Sequence, residues 1–376
     1  MPWYPEILSQ ATAELPKADF LVMVRLIRLL DRLSRLPAYR RLVAPLVPEV
    51  ARFDPGHNAV MMCHDFHLTD AGPKLIEVNT NAGGSLPAYL ADRRRTGLDA
   101  TQLPGRVKNR LLGQFAEEYL QFTQGRQSRP GKIVILDDRP EEQFLYQEMR
   151  IFADLFREWG AVAEITDPGD LEAGEEGVFL AGEPVEMVYN RHCDFYLESA
   201  EMAGLRQAYR GRHVCLTPNP QAYGLLADKR RMVLWTEDDF ADHVGLAAKE
   251  KDLLRATVPR SRLLSELDPG QVWETRRELV FKPVAKFGSR GVLLGGRTTR
   301  KRFSQLPPEE TLVQELVPPS LTEVSGRQAM KTDYRIFAYR SRPLGVTARL
   351  YRGQVTNLRT EGGGFAKVAL AAMRGS

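Results

Sequence analysis

Glu77 and Asn79 stand two residues apart at the end of an apolar run, in the stretch KLIEVNTNAGGS at 74–85. In a strand, side chains alternate faces, so the carboxylate and the carboxamide would point the same way. Two oxygen ligands side by side suit a hard cation. On this stretch alone a solvent-facing edge followed by a loop is the better account. The upstream residues change that balance. NAVMMCHDFHLTDAGPKLIEVNTN, 58–81, reads as two strands around an Asp70-Ala71-Gly72-Pro73 turn. A hairpin centred near Ala71 sets Asp65 across from Glu77, with Asn79 next along that face. Facing carboxylates repel unless a cation lies between them. Asp65, Glu77 and Asn79 are therefore metal-ligand candidates, on a register that a one-residue slip would undo. The glycines that follow, Gly83 and Gly84, are expected to bring backbone close to phosphate or substrate.

Cations lie further along the chain. Lys282 ends an apolar strand, and a loop with Gly288, Ser289 and Gly291 follows it. Such a loop offers backbone N–H groups to phosphate oxygens while the lysine supplies charge. Lys229 is a second cation, and Arg335 and Arg349 fall on strands of one expected sheet. These four cations with the three oxygen ligands match what a magnesium–nucleoside triphosphate requires. The chain has no GxxxxGK[ST], HRD or DFG, so it is neither a P-loop enzyme nor a protein kinase. His64 and His67 suggest zinc, but no further ligands fall at zinc spacing; they are assigned to one face, Asp65 to the other, and a structural role. Cys193, beside His192, is read as a buried thiol.

The elements that must position these residues can be outlined. Residues 19–36 read as an amphipathic helix whose Arg25, Arg28, Arg32 and Arg35 form a solvated basic stripe. Residues 100–130 read as a helix and a polar linker. From 132, KIVILDD, a long amphipathic helix, VAEI, GVFL and MVYNR read as an open α/β unit of Rossmann-like kind without GxGxxG. Arg191 ends the last of these strands, at the carboxyl edge where such sheets bind ligands; a surface salt bridge is an equal alternative. YGLLADKRRMVLWTE reads as one helix, and DYRIFAYRSRPLGVTARLYRGQVTNLRT as three antiparallel strands.

Bulk properties bound the class. The chain has 376 residues, 43% hydrophobic and 27% charged, as in an ordinary soluble domain protein. A net charge of +4 is too weak to imply nucleic acid. Three cysteines without a CxxC indicate neither a disulfide framework nor a thiolate zinc site, and favour a reducing, cytoplasmic setting. No signal peptide or membrane-length apolar run is apparent.

Together LIEVNTN, FKPVAKFGSRG, VQELV, DYRIF, TARLYRGQ and TNLRTEGGGFA resemble the ATP-grasp fold. The E-x-N strand precedes the α/β unit and the lysine lobe, an order similar to the circularly permuted ligases of the eukaryotic glutathione synthetase and glutathionylspermidine synthetase type. The resemblance implies an α/β (α+β) fold: a circularly permuted ATP-grasp fold with an inserted Rossmann-like open α/β substrate domain. Its parts would be 1–130, helices plus the metal hairpin; 131–222, the substrate domain; 223–313, the N-lobe with its glycine-rich lid; and 314–376, the C-lobe sheet packing with 57–95.

The resemblance also implies roles. Glu77 and Asn79 match the magnesium ligands of the E-x-N element, and Asp65 the preceding acidic ligand. Lys229 and Lys282 resemble the two nucleotide lysines, and 286–291 the lid. Gln314, Glu315, Leu316 and Val317 resemble the hinge whose backbone reads adenine, and Glu323 is the ribose acid. Arg335 and Arg349 resemble arginines that hold phosphate and a developing acyl phosphate. Arg191, Arg359, Gly363 and Gly364 resemble substrate-binding positions. Lys286 stands where the glutathione synthetase lid carries a metal-binding glutamate, which sets the glutathione substrate itself in question. The implied activity is an ATP-dependent carboxylate–amine ligase using ATP and two magnesium ions. Its partners would be small-molecule carboxylates and amines, with no nucleic acid, no membrane and a homodimer as the default. A small-molecule kinase and a non-catalytic nucleotide-binding protein are the alternatives.

Overall fold

The computed structural model describes residues 7–94, 100–284 and 291–372. Its centre is a seven-stranded sheet. The order across it is Leu8–Pro16, Gly364–Ala371, Arg342–Tyr351, Met330–Tyr339, Met62–Thr69 and Gly72–Asn79, with Ser320–Thr322 paired to Met330–Tyr339. Strands from the two ends of the chain therefore share one sheet. The first strand, parallel to Gly364–Ala371, has no counterpart in the sequence reading. Its apolar residues Ala13 and Leu15 alternate inward, but SQATAELP is too polar to announce a strand.

Helix Lys17–Leu33 covers one face of this sheet. Its Met23, Leu26, Ile27, Leu30 and Leu33 pack on Phe66, Leu75, Ile336 and Leu350. Arg25, Arg28 and Arg35 lie outward, and Arg32 pairs with Glu250. The opposite face packs on helices Ser85–Arg93, Gly105–Phe122 and Tyr146–Glu158.

The Met62–Thr69/Gly72–Asn79 hairpin has the Asp65–Glu77 register. Its turn is shorter than expected, with Asp70 and Ala71 between the strands. Near that turn Phe66 faces Leu75. A bulge between Asp65 and Phe66 then adds one residue on the partner strand, so that Asp65 faces Glu77 rather than Ile76.

A second sheet is wholly parallel, in the order Cys215–Thr217, Met187–Asn190, Lys132–Leu136, Val162–Thr166. GVFL is not part of it. Gly177–Leu180 sits in a separate three-stranded antiparallel sheet, and Cys215–Thr217 takes the vacated place. A third, antiparallel sheet runs Ser261–Leu263, Thr311–Glu315, Leu279–Pro283, Leu293–Leu294. The 313/314 division drawn from the sequence falls inside its Thr311–Glu315 strand.

Two further elements differ from expectation. YGLLADKRRMVLWTE is a π-turn, Tyr223–Ala227, a break at Asp228, and helix Arg230–Trp235, with Lys229 at the junction. GQVTNLRT is an irregular segment, and the third antiparallel strand is Gly364–Ala371. Among the described residues no helix is long and apolar enough to cross a membrane.

Candidate functional site

A cavity of about 430 Å³ opens between the central sheet and the third sheet. The central sheet supplies Asp65, His67, Glu77, Asn79, Asp333, Arg335, Arg349 and Tyr351. Lys282 and the 314–317 segment come from the third sheet, and Lys229 from the junction after the π-turn. The segment 354–359 and Phe144 complete the wall. Its apolar part is made by Ile76, Val280, Val292, Leu294, Leu316 and Val317.

Strand register explains how the charges meet. Arg335 sits opposite Asp65, which sits opposite Glu77, in one row across three strands. Asp333 and Arg349 pair in the next row. Arg335 donates from Nε and Nη2 to the two Asp65 oxygens, each at 2.7 Å. Arg349 Nη2 lies 2.9 Å from Asp65 Oδ2, and its Nε donates to Asp333 Oδ1 at 2.6 Å. Thr356 Oγ donates to Asp333 Oδ2 at 2.6 Å, which ties the irregular segment to the sheet. Burial alone would raise the Asp65 carboxyl, and the Arg335 and Arg349 guanidinium groups outweigh it and hold Asp65 far below the usual carboxylate range.

Asp65 was expected on the metal. Both its oxygens accept from guanidinium groups, and it is 1% exposed. Its place is the floor under two arginines. Glu77 and Asn79 do share a half-buried face in the cavity. Asn79 Nδ2 is 3.3 Å from Glu77 Oε1 and 3.3 Å from Asp65 Oδ2, which turns the amide nitrogen toward the carboxylates and leaves its oxygen for a cation. Among the described residues no group of three His, Cys, Asp or Glu is arranged to hold a metal. The donor set that fits magnesium is thus Glu77 with Asn79, and phosphate and water oxygens would complete it, as this ion prefers.

Lys282 is buried and donates to Gln314 Oε1 at 2.7 Å and to the Ile76 carbonyl at 3.1 Å. Burial lowers its ammonium to about 8, against the opposing pull of Glu77. Gln314, Glu315, Leu316 and Val317 line the cavity as expected of a hinge. Glu315 N donates to the Arg260 carbonyl and Leu316 N to the Glu278 carbonyl, which holds this segment to its neighbours.

Other expected positions fall elsewhere. Glu323 is exposed and does not line the cavity, because the chain leaves through Pro318 and Pro319 into the Ser320–Thr322 edge strand. Arg191 is buried, donating to the Ala82 carbonyl at 2.6 Å and lying 3.7 Å from Glu148. Glu148 in turn accepts from Gly84 N, Leu86 N and Ser85 Oγ at 2.9–3.0 Å, capping helix Ser85–Arg93. Both the ligand and the surface-bridge readings of Arg191 give way to a buried clamp.

The glycines serve the same packing. A Cβ on Gly83 would meet Arg191 and Leu145 at 2.4 Å, and Gly84 takes φ +97° against Phe365. Gly363 lies against the Leu350 carbonyl, and Gly364, at φ +92°, against the Ile7 carbonyl, so neither lines the cavity. Arg359 does, with its guanidinium 5.2 Å from the Phe144 ring centre. Gly291 lies outside the wall, and Gly288, Ser289 and the rest of the 286–290 lid lie outside the described residues.

Sequence reasoning missed several wall residues. His67 shares a face with Asp65, not with His64, because residues two apart on a strand point together. It lies 2.7 Å from the Val317 carbonyl through Nδ1, and burial lowers its imidazole. Asp333 could have been found, since the hairpin of Met330–Tyr339 and Arg342–Tyr351 sets it across from Arg349. Cys193 is half-buried, in the wall of an adjoining cavity of about 150 Å³ with Asn81, Phe195 and Tyr223. Glu77, Asn79, Lys229 and Arg335 line both cavities.

No protein-family model matches the sequence, and comparison with curated protein sequences gives no match. Solved structures do. A glutathione synthetase-like effector, GSS30, from Globodera pallida in its apo form aligns over 97% of this chain and 90% of its own, at 12% identity and a TM-score of 0.59. A provisionally assigned gamma-glutamylcysteine synthetase from Methylobacillus flagellatus KT aligns over 94% of this chain and 87% of its own, at 12% identity and a TM-score of 0.51. Likeness at this identity concerns the fold alone. With the sheet topology above, it establishes that the chain has an ATP-grasp-related fold.

Proposed function

We propose that the protein is an ATP-dependent carboxylate–amine ligase that works through an acyl phosphate. The observation that carries this reading is the charge arrangement in one cavity. Glu77 and Asn79 face Lys229, Lys282, Arg335 and Arg349, beside an apolar slot ending at 314–317. A nucleoside triphosphate needs that combination: an apolar site for the base, cations for phosphate and oxygen ligands for its metal. The glutathione synthetase-like and gamma-glutamylcysteine synthetase names of the structural neighbours agree with a ligase.

In this reading Glu77 and Asn79 hold magnesium, which when bound offsets the charge of the phosphates. Lys282 and Lys229 bind phosphate oxygens. A substrate carboxylate attacks the γ-phosphorus, ADP departs, and an acyl phosphate forms. An amine then attacks the acyl carbon, phosphate leaves, and the amine gives up its proton. Arg335 and Arg349 stabilise the anionic centre. Arg335 gives Nε and Nη2 to Asp65 and Nη1 to the Gly83 carbonyl, and Arg349 gives Nε to Asp333 and Nη2 to Asp65; the donors left over from these bonds serve the cavity. The adjoining cavity around Asn81, Cys193, Phe195 and Tyr223 takes the small-molecule substrates. We read the chain order as a circular permutation, with the metal hairpin ahead of an inserted Rossmann-like unit built on the parallel sheet.

Calorimetry with ATP tests this, with and without magnesium, on the wild type and on Glu77→Ala. Tight binding that requires magnesium and largely disappears in Glu77→Ala is the expected result. Binding indifferent to both would remove Glu77 from the metal. Phosphate retained on the product, rather than released, would mark a kinase.

A further inference from the structure

A chain of hydrogen bonds runs away from Lys282, behind the cavity wall. Lys282 Nζ donates to Gln314 Oε1 at 2.7 Å, Gln314 Nε2 donates to Ser261 Oγ at 2.9 Å, and Ser261 Oγ donates to the Pro259 carbonyl at 2.9 Å. Register places these groups together. Ser261 is the cross-strand partner of Gln314, and Gln314 is paired on its other side to Val280, two residues before Lys282. Ser261 and Gln314 are each 1% exposed, and Ser261 does not line the cavity.

The direction of this chain agrees from both ends, since the Lys282 ammonium can only donate. A carbonyl can only accept, so the Pro259 oxygen takes the Ser261 hydroxyl proton. The hydroxyl oxygen must then accept, which turns the Gln314 NH2 toward Ser261. That leaves Oε1, an acceptor, facing the lysine. The reverse amide orientation would set two donors against each other at a pair of largely buried side chains.

We propose that Ser261 is a positioning residue that, through the Gln314 amide, orients Lys282 for the nucleotide. The inference rests on the nucleotide reading of the cavity given above. A backbone carbonyl two residues before one strand of the third sheet is thereby linked to the direction of a side chain on another. The groups facing Lys282 from the surrounding elements are Glu77, Asp65, Lys229 and His67, and none of them contacts Ser261.

The test is amine-directed acylation of the full-length, ligand-free chain at one neutral pH, read by peptide mass spectrometry. Lys132, held by Glu164 and Glu183 on the distant parallel sheet, is the internal control. In Ser261→Ala, Lys282 is expected to label several-fold faster while Lys132 is unchanged. Ser261→Thr, which keeps the hydroxyl, is expected to restore the wild-type rate. Calorimetry with magnesium–ATP is expected to show binding weakened about five-fold in Ser261→Ala, the size of a lost hydrogen bond between neutral groups. Unchanged Lys282 labelling in Ser261→Ala overturns the proposal. If Ser261→Ala loosens the whole fold and Lys132 labels faster too, Ser261→Cys is read instead, since it keeps the volume with a far weaker acceptor; a wild-type Lys282 rate there also overturns it. A wild type that binds no ATP, with Lys282 labelling still raised in Ser261→Ala, rejects the nucleotide reading and leaves the orienting chain standing.

Discussion

Removing the Asp65 charge leaves the Arg335 guanidinium without its carboxylate and Arg349 with Asp333 alone. Arg335 and Arg349 both bond to Asp65, and breaking a buried pair from one side costs about 3–5 kcal/mol. Asp65→Asn is expected to lower the unfolding free energy of the ligand-free protein, read by urea titration, by an amount of that order, and to do so in a chelator as much as in magnesium. If stability in chelator is unchanged and only magnesium-dependent binding is lost, Asp65 returns to the metal. Much of this site was legible residue by residue, because charged residues two apart on apolar strands have few structural uses. The division of labour was not. Which carboxylate holds the arginines and which is left facing the cavity depends on the strand placed alongside, and Arg335 is 270 residues from Asp65.

Between elements, the fold relies on a buried polar knot. His57 Nδ1 lies 3.0 Å from Glu118 Oε2, and Tyr339 Oη donates to Glu118 Oε1 at 2.6 Å. The knot joins the loop before the hairpin, helix Gly105–Phe122 and the central sheet. Burial alone would lower the His57 imidazole; Cys215 and Glu118 reverse this and raise it from 6.5 to about 10. The folded protein then keeps a proton that the unfolded chain releases across that window. Its stabilisation is full below about 6.5 and fades as pH rises through about 10. The urea midpoint is therefore expected to fall from neutral pH to pH 10, and Glu118→Gln is expected to flatten that slope. An equal slope in the variant would place the proton elsewhere. Elements with a clear period, such as helix Lys17–Leu33 and the Met62–Thr69/Gly72–Asn79 hairpin, were readable; the π-turn before Lys229 was not, since its apolar residues fit one continuous helix.

Across the whole molecule, the central and third sheets meet at the cavity, and one irregular segment joins the central sheet to the parallel unit. Segment 354–359 is tied to the central sheet by Thr356 and to the parallel unit by Arg359 over Phe144. Such a cation–π contact is worth about 0.5–1 kcal/mol at an exposed site. Arg359→Ala is thus expected to raise the rate of limited proteolysis within this segment roughly three-fold, through easier local opening. Magnesium–ATP is expected to slow cleavage in the wild type. Equal cleavage in both proteins would show that Arg359 does not hold the segment down.

The amino-acid sequence by itself determined the hairpin carrying Glu77 and Asn79, the lysine strand, the Thr311–Glu315 strand and the arginine strands. Each of these is local: a period of two, a turn and a charge at a fixed place. Only the tertiary structure decided that Asp65 supports arginines, that Arg191 ties the segment before helix Ser85–Arg93 to the parallel sheet, that Gly83 and Gly84 admit Arg191 and Phe365 at close range, and that Glu323 faces solvent. Those outcomes depend on which surfaces meet across hundreds of residues. The hairpin itself marks the boundary. Its partners were predictable, but its register depends on a bulge, whose position packing against the rest of the sheet selects.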